Sequence, residues 1–444
     1  MADILPFRAL RYDLSKVTAG EVMTQPYDKI TPAMQAGYYA ASPYNLVRII
    51  LGKPQPGDNQ NDNVYNRAAA CLQQWQDDGV LVRDAQPAIY AYAQRFTIPG
   101  DPAGVEVERR GFIALGRVDD YDNKVVFRHE QTLSKPKADR LNLLQATAAH
   151  CEQIFMLYSD PADEIGKLLE SDAAPTIELR DEYGVLHRVW KISDPAILDA
   201  VRAKMCDKKL IIADGHHRYE TALNYRNQMR EQARGDADAP YERVVMTFVN
   251  MDAPGLVILP THRVVFGLEH FSIFDMVAVL RSYFEVEDIG QLENIPGAMW
   301  RLREAGKHRT ALLAVTAHTT FLLRARDDVD PARLKGISER QRSLDVIQLH
   351  KLILEEILEM SEEDIRAQKH LKYIRDAAEA VGEVENGSAQ VAFLMNPVHI
   401  EQVRDIAFAG DVLPQKSTDF YPKMMSGLTI YSLQAEAQGA TGGQ

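Results

Sequence analysis

Apolar residues recur near helical spacing over Val64–Asp78, which predicts a helix. Two β-rich runs, Ala88–Ile98 and Val105–Arg117, flank the turn PGDPAG and read as a hairpin. A short strand is expected over Lys124–Arg128. Lys137–Tyr158 contains few breakers and predicts a helix, as does Asp163–Glu170. Thr176–Ile192 suggests a second hairpin around Asp181–Gly184. Next come a helix (Pro195–Met205), a buried strand (Lys208–Ala213), a long helix within Asp214–Arg234 and a strand (Arg243–Met251). Gly255–Phe266 reads as two strands broken by Pro260.

The pattern changes beyond Gly267. Helices are expected over Ile273–Phe284 and Pro296–Ala305, a hairpin over Arg309–Arg324 around His318 and Thr319, and an amphipathic helix over Ser343–Met360. A strand (Ala389–Met395), a helix (His399–Ala409) and the loop Gly410–Thr418 follow. Near the start, SPYNLVRIIL (Ser42–Leu51) reads as a turn feeding a strand, and Leu51–Asn63, rich in Pro, Gly, Asn and Asp, as a surface loop. No fixed-period repeat is present.

At 444 residues the chain is long enough for two or three domains. Its formal charge of −13 weighs against a protein whose main task is coating nucleic acid. It leaves room for a local basic pocket that takes a phosphorylated small molecule. No apolar run is long enough for a membrane span, and the N-terminus lacks the apolar stretch of a signal peptide. Cys71, Cys151 and Cys206 are scattered and odd in number, which fits reduced, buried thiols in a cytoplasmic protein.

The densest chemistry lies in DGHHR, Asp214–Arg218. It follows a β run and opens a helix, whose unsatisfied N–H groups suit a phosphate, and Gly215 permits an unusual backbone angle. The plainer reading is an aspartate N-cap beside surface histidines. HEQT (His129–Thr132) places Glu130 at a strand end, where it could serve as a general base or stand as a solvated loop residue. LPQKST with FYPK (Leu413–Lys423) offers Lys416, Ser417 and Thr418 to phosphate oxygens, although KST is a common surface tripeptide. LPTHR presents Thr261, His262 and Arg263 as an anion site or as a satisfied turn. PYDKI puts Asp28 after an aromatic residue, in a cleft lining or a turn. SLDVIQLHKLILEEILEM supplies core or a subunit contact, with His350 structural. GxxxxGK[ST] and GxGxxG are both absent.

Together PFRALRY, PYDKI, PYNLVRIIL, HEQT with KADRL, ADGHHRY, LPTHRVV, SLDVIQLH and LPQKSTDFYPKMMSGL resemble the bacterial domain-of-unknown-function family number 1015, to about Leu428. More distantly, the order HEQ, strand–DGHHR–helix, then a Lys-Ser-Thr loop is similar to free serine kinases of the partition-protein-B (ParB)/sulfiredoxin superfamily. That resemblance implies an α+β fold, a ParB/sulfiredoxin-like mixed sheet-and-helix core with N-terminal and C-terminal elaborations. It further implies an N-terminal mixed segment (1–123), the core (124–266), a C-terminal α/β domain (267–432) and a disordered tail (433–444).

Functionally it implies phosphorylation of a small hydroxylated metabolite, free L-serine above others, from ATP or ADP with Mg²⁺. Glu130, Asp214, His216 and His217 would be catalytic. Gly215, His217, Arg218, Thr261, His262 and Arg263 would hold the nucleotide; His129, Lys416, Ser417 and Thr418 the substrate; and Asp214 the metal. The alternative is a non-catalytic nucleotide-binding regulatory module that signals through Ser343–Met360. Expected partners are nucleotide, a small-molecule substrate and, as an option, a second copy of the chain, rather than nucleic acid or membrane. The 84 residues from Glu130 to Asp214 exceed the spacing in the compact kinases, and the sulfiredoxin-type reductase does not fit, because DGHHR carries no cysteine.

Overall fold

The computed structural model describes residues 2–101, 103–130, 134–233, 236, 238–330 and 337–434. They form two units, one from the described residues within 2–128, 134–257 and 422–434, the other from those within 129–130 and 258–421. Gln131, Thr132 and the tail from residue 435 lie outside the described residues.

The first unit is built on a mixed, nine-stranded sheet. Its strand order is Val126–Phe127, Leu210–Asp214, Ile154–Tyr158, Arg243–Asn250, Glu106–Arg117, Ile89–Thr97, Leu186–Ile192 and Ile177–Arg180, with Ile4–Leu5 added to Glu106–Arg117. Ile154–Tyr158 runs parallel to Arg243–Asn250 and antiparallel to Leu210–Asp214. Helices Pro195–Met205 and His216–Ala233 flank this sheet, and Leu198, Val201 and Tyr219 join its apolar core.

Ile154–Tyr158 is a central strand, although a continuous helix is expected from Lys137 to Tyr158. The helix stops at Thr147, Ala148 takes a left-handed φ of 46°, and the run IFMLY is buried throughout. A short apolar run buried on both faces carries no period that separates strand from helix. SPYNLVRIIL also departs from expectation. Asn45 Oδ1 accepts from Val47 N at 2.9 Å, and Val47–Ile50 forms a helical turn with Val47, Ile49 and Ile50 buried.

The second unit carries a six-stranded sheet in the order Phe284–Gly290, Thr320–Ala325, Ala311–Val315, Val391–Met395, His262–Val265, Leu371–Ile374. The helix expected over Ile273–Phe284 ends at Leu280, and Phe284 instead begins an edge strand. The amphipathic stretch Ser343–Met360 is divided into an α-turn, Asp345–Gln348, and a π-helix, Leu349–Ile357. Leu349, Leu352, Ile353 and Leu354 are buried within this unit, so its apolar face is core. Of the cysteines, Cys151 is buried and Cys71 half-buried, whereas Cys206 is exposed, contrary to the buried set expected. The architecture is α+β. Among the described residues no helix is long and apolar enough to cross a membrane.

Candidate functional site

Asp214 ends a buried strand, and Gly215, at φ +92°, turns the chain into helix His216–Ala233. A side chain at Gly215 would be strained at that angle, and its Cβ would lie 3.0 Å from Arg218 Nε. The turn lets Arg218 fold back so that its Nη2 donates to Asp214 Oδ2 at 2.8 Å, while its Nη1 donates to the Gln153 carbonyl. Lys423 Nζ donates to the other carboxylate oxygen, Oδ1, at 3.1 Å. Burial alone would raise the Asp214 pKa. Lys423 and Arg218, with a contribution from Lys29, reverse that and hold it well below the usual carboxylate range. Both oxygens of Asp214 thus accept from cations. Among the described residues no group of three His, Cys, Asp or Glu side chains could hold a metal ion.

A second carboxylate stands behind the same arginine. Glu152 is buried; burial raises its pKa, and the positive charge of Arg218 and Arg140 works against the rise. Its Oε1 accepts from Tyr27 N at 3.0 Å, and Arg140 Nη1 lies 3.5 Å from Oε2. Tyr27–Lys29, the centre of PYDKI, is a 3-10 turn capped by Pro26. The Arg140 guanidinium stacks 4.1 Å over the Tyr27 ring. The first unit therefore gathers Lys29, Arg140, Arg218 and Lys423 around two carboxylates. Lys29, Arg140, Glu152 and Lys423 are the residues that sequence reasoning left without a role; the quoted motifs PYDKI, KADRL and FYPK contain the three cations. His216 is buried and His217 half-buried.

In the second unit, Glu130 Oε1 accepts from Thr418 N at 3.0 Å and from Thr418 Oγ1 at 2.9 Å. His129 Nε2 lies 2.7 Å from the same hydroxyl. Leu413 N donates to His129 O at 2.7 Å, which ties HEQT to the LPQKST loop by backbone pairing. Ser417 Oγ donates to Pro414 O at 2.6 Å, and Lys416 is exposed with a left-handed φ of 56°. The structure thus brings together His129, Glu130, Ser417 and Thr418.

LPTHR is largely satisfied from within. His262 Nδ1 accepts from Met395 N at 3.2 Å, and burial pulls this imidazole down to about 4. Arg263 is fully buried, donates to the Thr261 and Gln415 carbonyls, and stacks 4.8 Å over Tyr373. Burial lowers its pKa to about 10, against the opposing pull of Tyr373 and Glu130. His350, on the π-helix, faces Arg263 Nε at 3.4 Å.

Residues 4–347 match the family model described as a protein of unknown function, DUF1015, and the chain belongs to that family. Similar solved structures include a free serine kinase in complex with AMP, at 13% identity over 70% of this chain and 90% of that chain, with a TM-score of 0.36. SbnI from Staphylococcus aureus, with a C-terminal truncation, aligns at 11% identity over 71% and 85%, with a TM-score of 0.33. A conserved hypothetical protein from Pyrococcus furiosus aligns at 13% identity over 67% and 90%, with a TM-score of 0.34. No curated protein matches the chain in sequence.

Proposed function

We propose that the chain is a nucleotide-dependent kinase that transfers a phosphoryl group to the hydroxyl of a small metabolite, with free L-serine the favoured acceptor. The observation that carries this reading is the pairing of Asp214 with Arg218 and Lys423 at the start of an 18-residue helix. Phosphoryl transfer needs positioned positive charge more than covalent catalysis. Two cations held by one carboxylate at the N-terminal end of a helix supply that charge.

In this reading Arg218 and Lys423 take nucleotide phosphates, Gly215 allows close backbone approach, and Asp214 positions the two cations. Glu130 orients the acceptor hydroxyl and takes its proton. Its bond to Thr418 Oγ1 is the kind of contact a substrate hydroxyl would replace. His129, Ser417 and Lys416 would frame that hydroxyl, and His216 and His217 the phosphates. A magnesium ion would arrive with the nucleotide and neutralise phosphate charge, since Asp214 is already paired. The ParB/sulfiredoxin-like core and a cytoplasmic setting belong to the same proposal.

The test is incubation of the purified chain with ATP or ADP, Mg²⁺ and L-serine, with mass-spectrometric detection of O-phosphoserine. Product that depends on nucleotide and is lost in Glu130→Gln is expected. Nucleotide binding with no phosphorylated product would favour the regulatory module instead. Product formation undiminished in Glu130→Gln would remove Glu130 from its role as base.

A further inference from the structure

The nine-stranded sheet carries a cavity of about 640 Å³ that involves none of the motif residues above. Its floor follows from strand register. Trp190, Ala91 and Phe112 stand side by side on three adjacent strands, and one step along the same face so do Arg188, Ala93 and Arg110. Directly paired residues share a face of the sheet. Each row therefore has an alanine in the middle and a large side chain on either side. Tyr158 and Leu169 also line the cavity, near the aromatic row. The result is a trough with an apolar end and a guanidinium end.

Charge is dense at the second end. The next row pairs Arg95 with Glu108, and Glu108 alone serves three arginines: Arg110 Nε at 2.7 Å, Arg188 Nη2 at 2.7 Å and Arg95 Nε at 3.4 Å. Further carboxylates stand nearby: Glu106 and Glu170, largely exposed, at 3.9 Å and 3.6 Å from Arg95 and Arg110, the exposed Glu178 paired across strands with Arg188, and Asp163 on the cavity lining. Arg188 Nε is buried without a hydrogen-bond partner among the described residues. Gly255, at φ +88°, lets the following loop close over the strand, since a Cβ there would meet Glu108 O at 2.2 Å. The volume falls within the range of about 300–1,000 Å³ usual for small-molecule sites.

We propose that this trough binds an amphipathic organic anion. Its flat apolar body lies over Ala91 between Trp190 and Phe112, and its carboxylate or sulfonate lies over Ala93 between Arg188 and Arg110. Arginine suits such a head group because its planar donors match two oxygens at once. Glu108 is then an internal competitor for the same guanidinium groups.

The probe is 8-anilino-1-naphthalenesulfonate, titrated by fluorescence into the full chain with its near-ultraviolet circular dichroism checked in every variant. Saturable binding is expected. Ala93→Phe, which fills the trough, and Arg188→Gln should each weaken it about tenfold, the scale of one charge-assisted contact. Glu108→Gln should tighten it. Arg110→Gln, on a side chain 65% exposed at the rim, keeps the test available should Ala93→Phe not fold. Absence of saturable binding, equal affinity in wild type and the arginine variants, or weaker binding in Glu108→Gln would overturn the proposal.

Discussion

Replacing Asp214 with Asn removes the negative charge between Arg218 and Lys423, whose side chains are only 11% and 8% exposed. Stripping one partner from a buried ion pair costs about 3–5 kcal/mol, because the remaining charge stays buried without compensation. Asp214 is itself 22% exposed, so water screens part of the loss and about 3 kcal/mol is the expected figure. At roughly 2–4 °C per kcal/mol for a unit of this size, the first unit should melt about 6–12 °C lower. Trp75 and Trp190 lie in that unit and Trp300 in the other, so tryptophan fluorescence in a Trp300→Phe background follows the first unit alone.

The folded pKa of Asp214 is depressed from its usual 3.8. Its contribution is therefore complete above the unfolded value and is lost as pH falls through the folded one, so it is fully present at pH 7. Adding Lys423→Met to Asp214→Asn should cost much less than the two single changes summed. The control is Asp199→Asn, in a 3.6 Å pair that is 77% exposed at Asp199, with an expected change within about 0.5 kcal/mol. If Asp214→Asn behaved like that control, the buried cluster would not be a linked unit and the reasoning would fail.

Gly215→Ala should destabilise the first unit by about 1–3 kcal/mol in the same melt, since alanine is strained at φ +92°. Thr418→Val deletes the hydroxyl shared by His129 and Glu130. A loss of about 1–3 kcal/mol is expected in the second unit by calorimetry, with Thr418→Ser restoring most of it. His150 and His262 are both pulled down to about 4 by burial. The unfolded chain binds more protons between their usual 6.5 and that value, so stability should fall as pH drops through this window. The double variant His150→Gln with His262→Gln should flatten that acid limb in urea titrations.

Helix Pro195–Met205 was legible in the sequence because its start is written locally: Asp194 accepts from Ala196 N at 2.8 Å and Pro195 occupies the first turn. The three hairpins were legible for the same kind of reason, a turn between two β-rich runs. Ile154–Phe155–Met156–Leu157–Tyr158 was not, because a strand enclosed by two neighbours shows only that it is buried. Phe284–Gly290 was hidden behind a helix that ends four residues earlier.

The site divides in the same way. DGHHR announced itself by density, and its strand-to-helix placement emerged as expected. The partner of Asp214, Lys423, lies 209 residues away, and no local spacing links the two. Lys29 and Glu152 were likewise invisible, since the topology of the first unit, rather than any motif, assembles them with Arg218. His262 and Arg263 read equally well as anion ligands or as a satisfied turn, and only the Met395 N–H and the Thr261 and Gln415 carbonyls show where their polar atoms are spent.

The central claim is that the Asp214-held cations receive nucleotide phosphates. Titration calorimetry of ADP and ATP into wild-type and Lys423→Met chains at one fixed salt concentration addresses it directly. Binding at least about tenfold weaker in Lys423→Met, the scale of one charge-assisted phosphate contact, with unchanged affinity in Lys307→Met on the exposed surface of the other unit, is the expected result. Equal nucleotide affinity in all three chains, or no binding by the wild type, would contradict it.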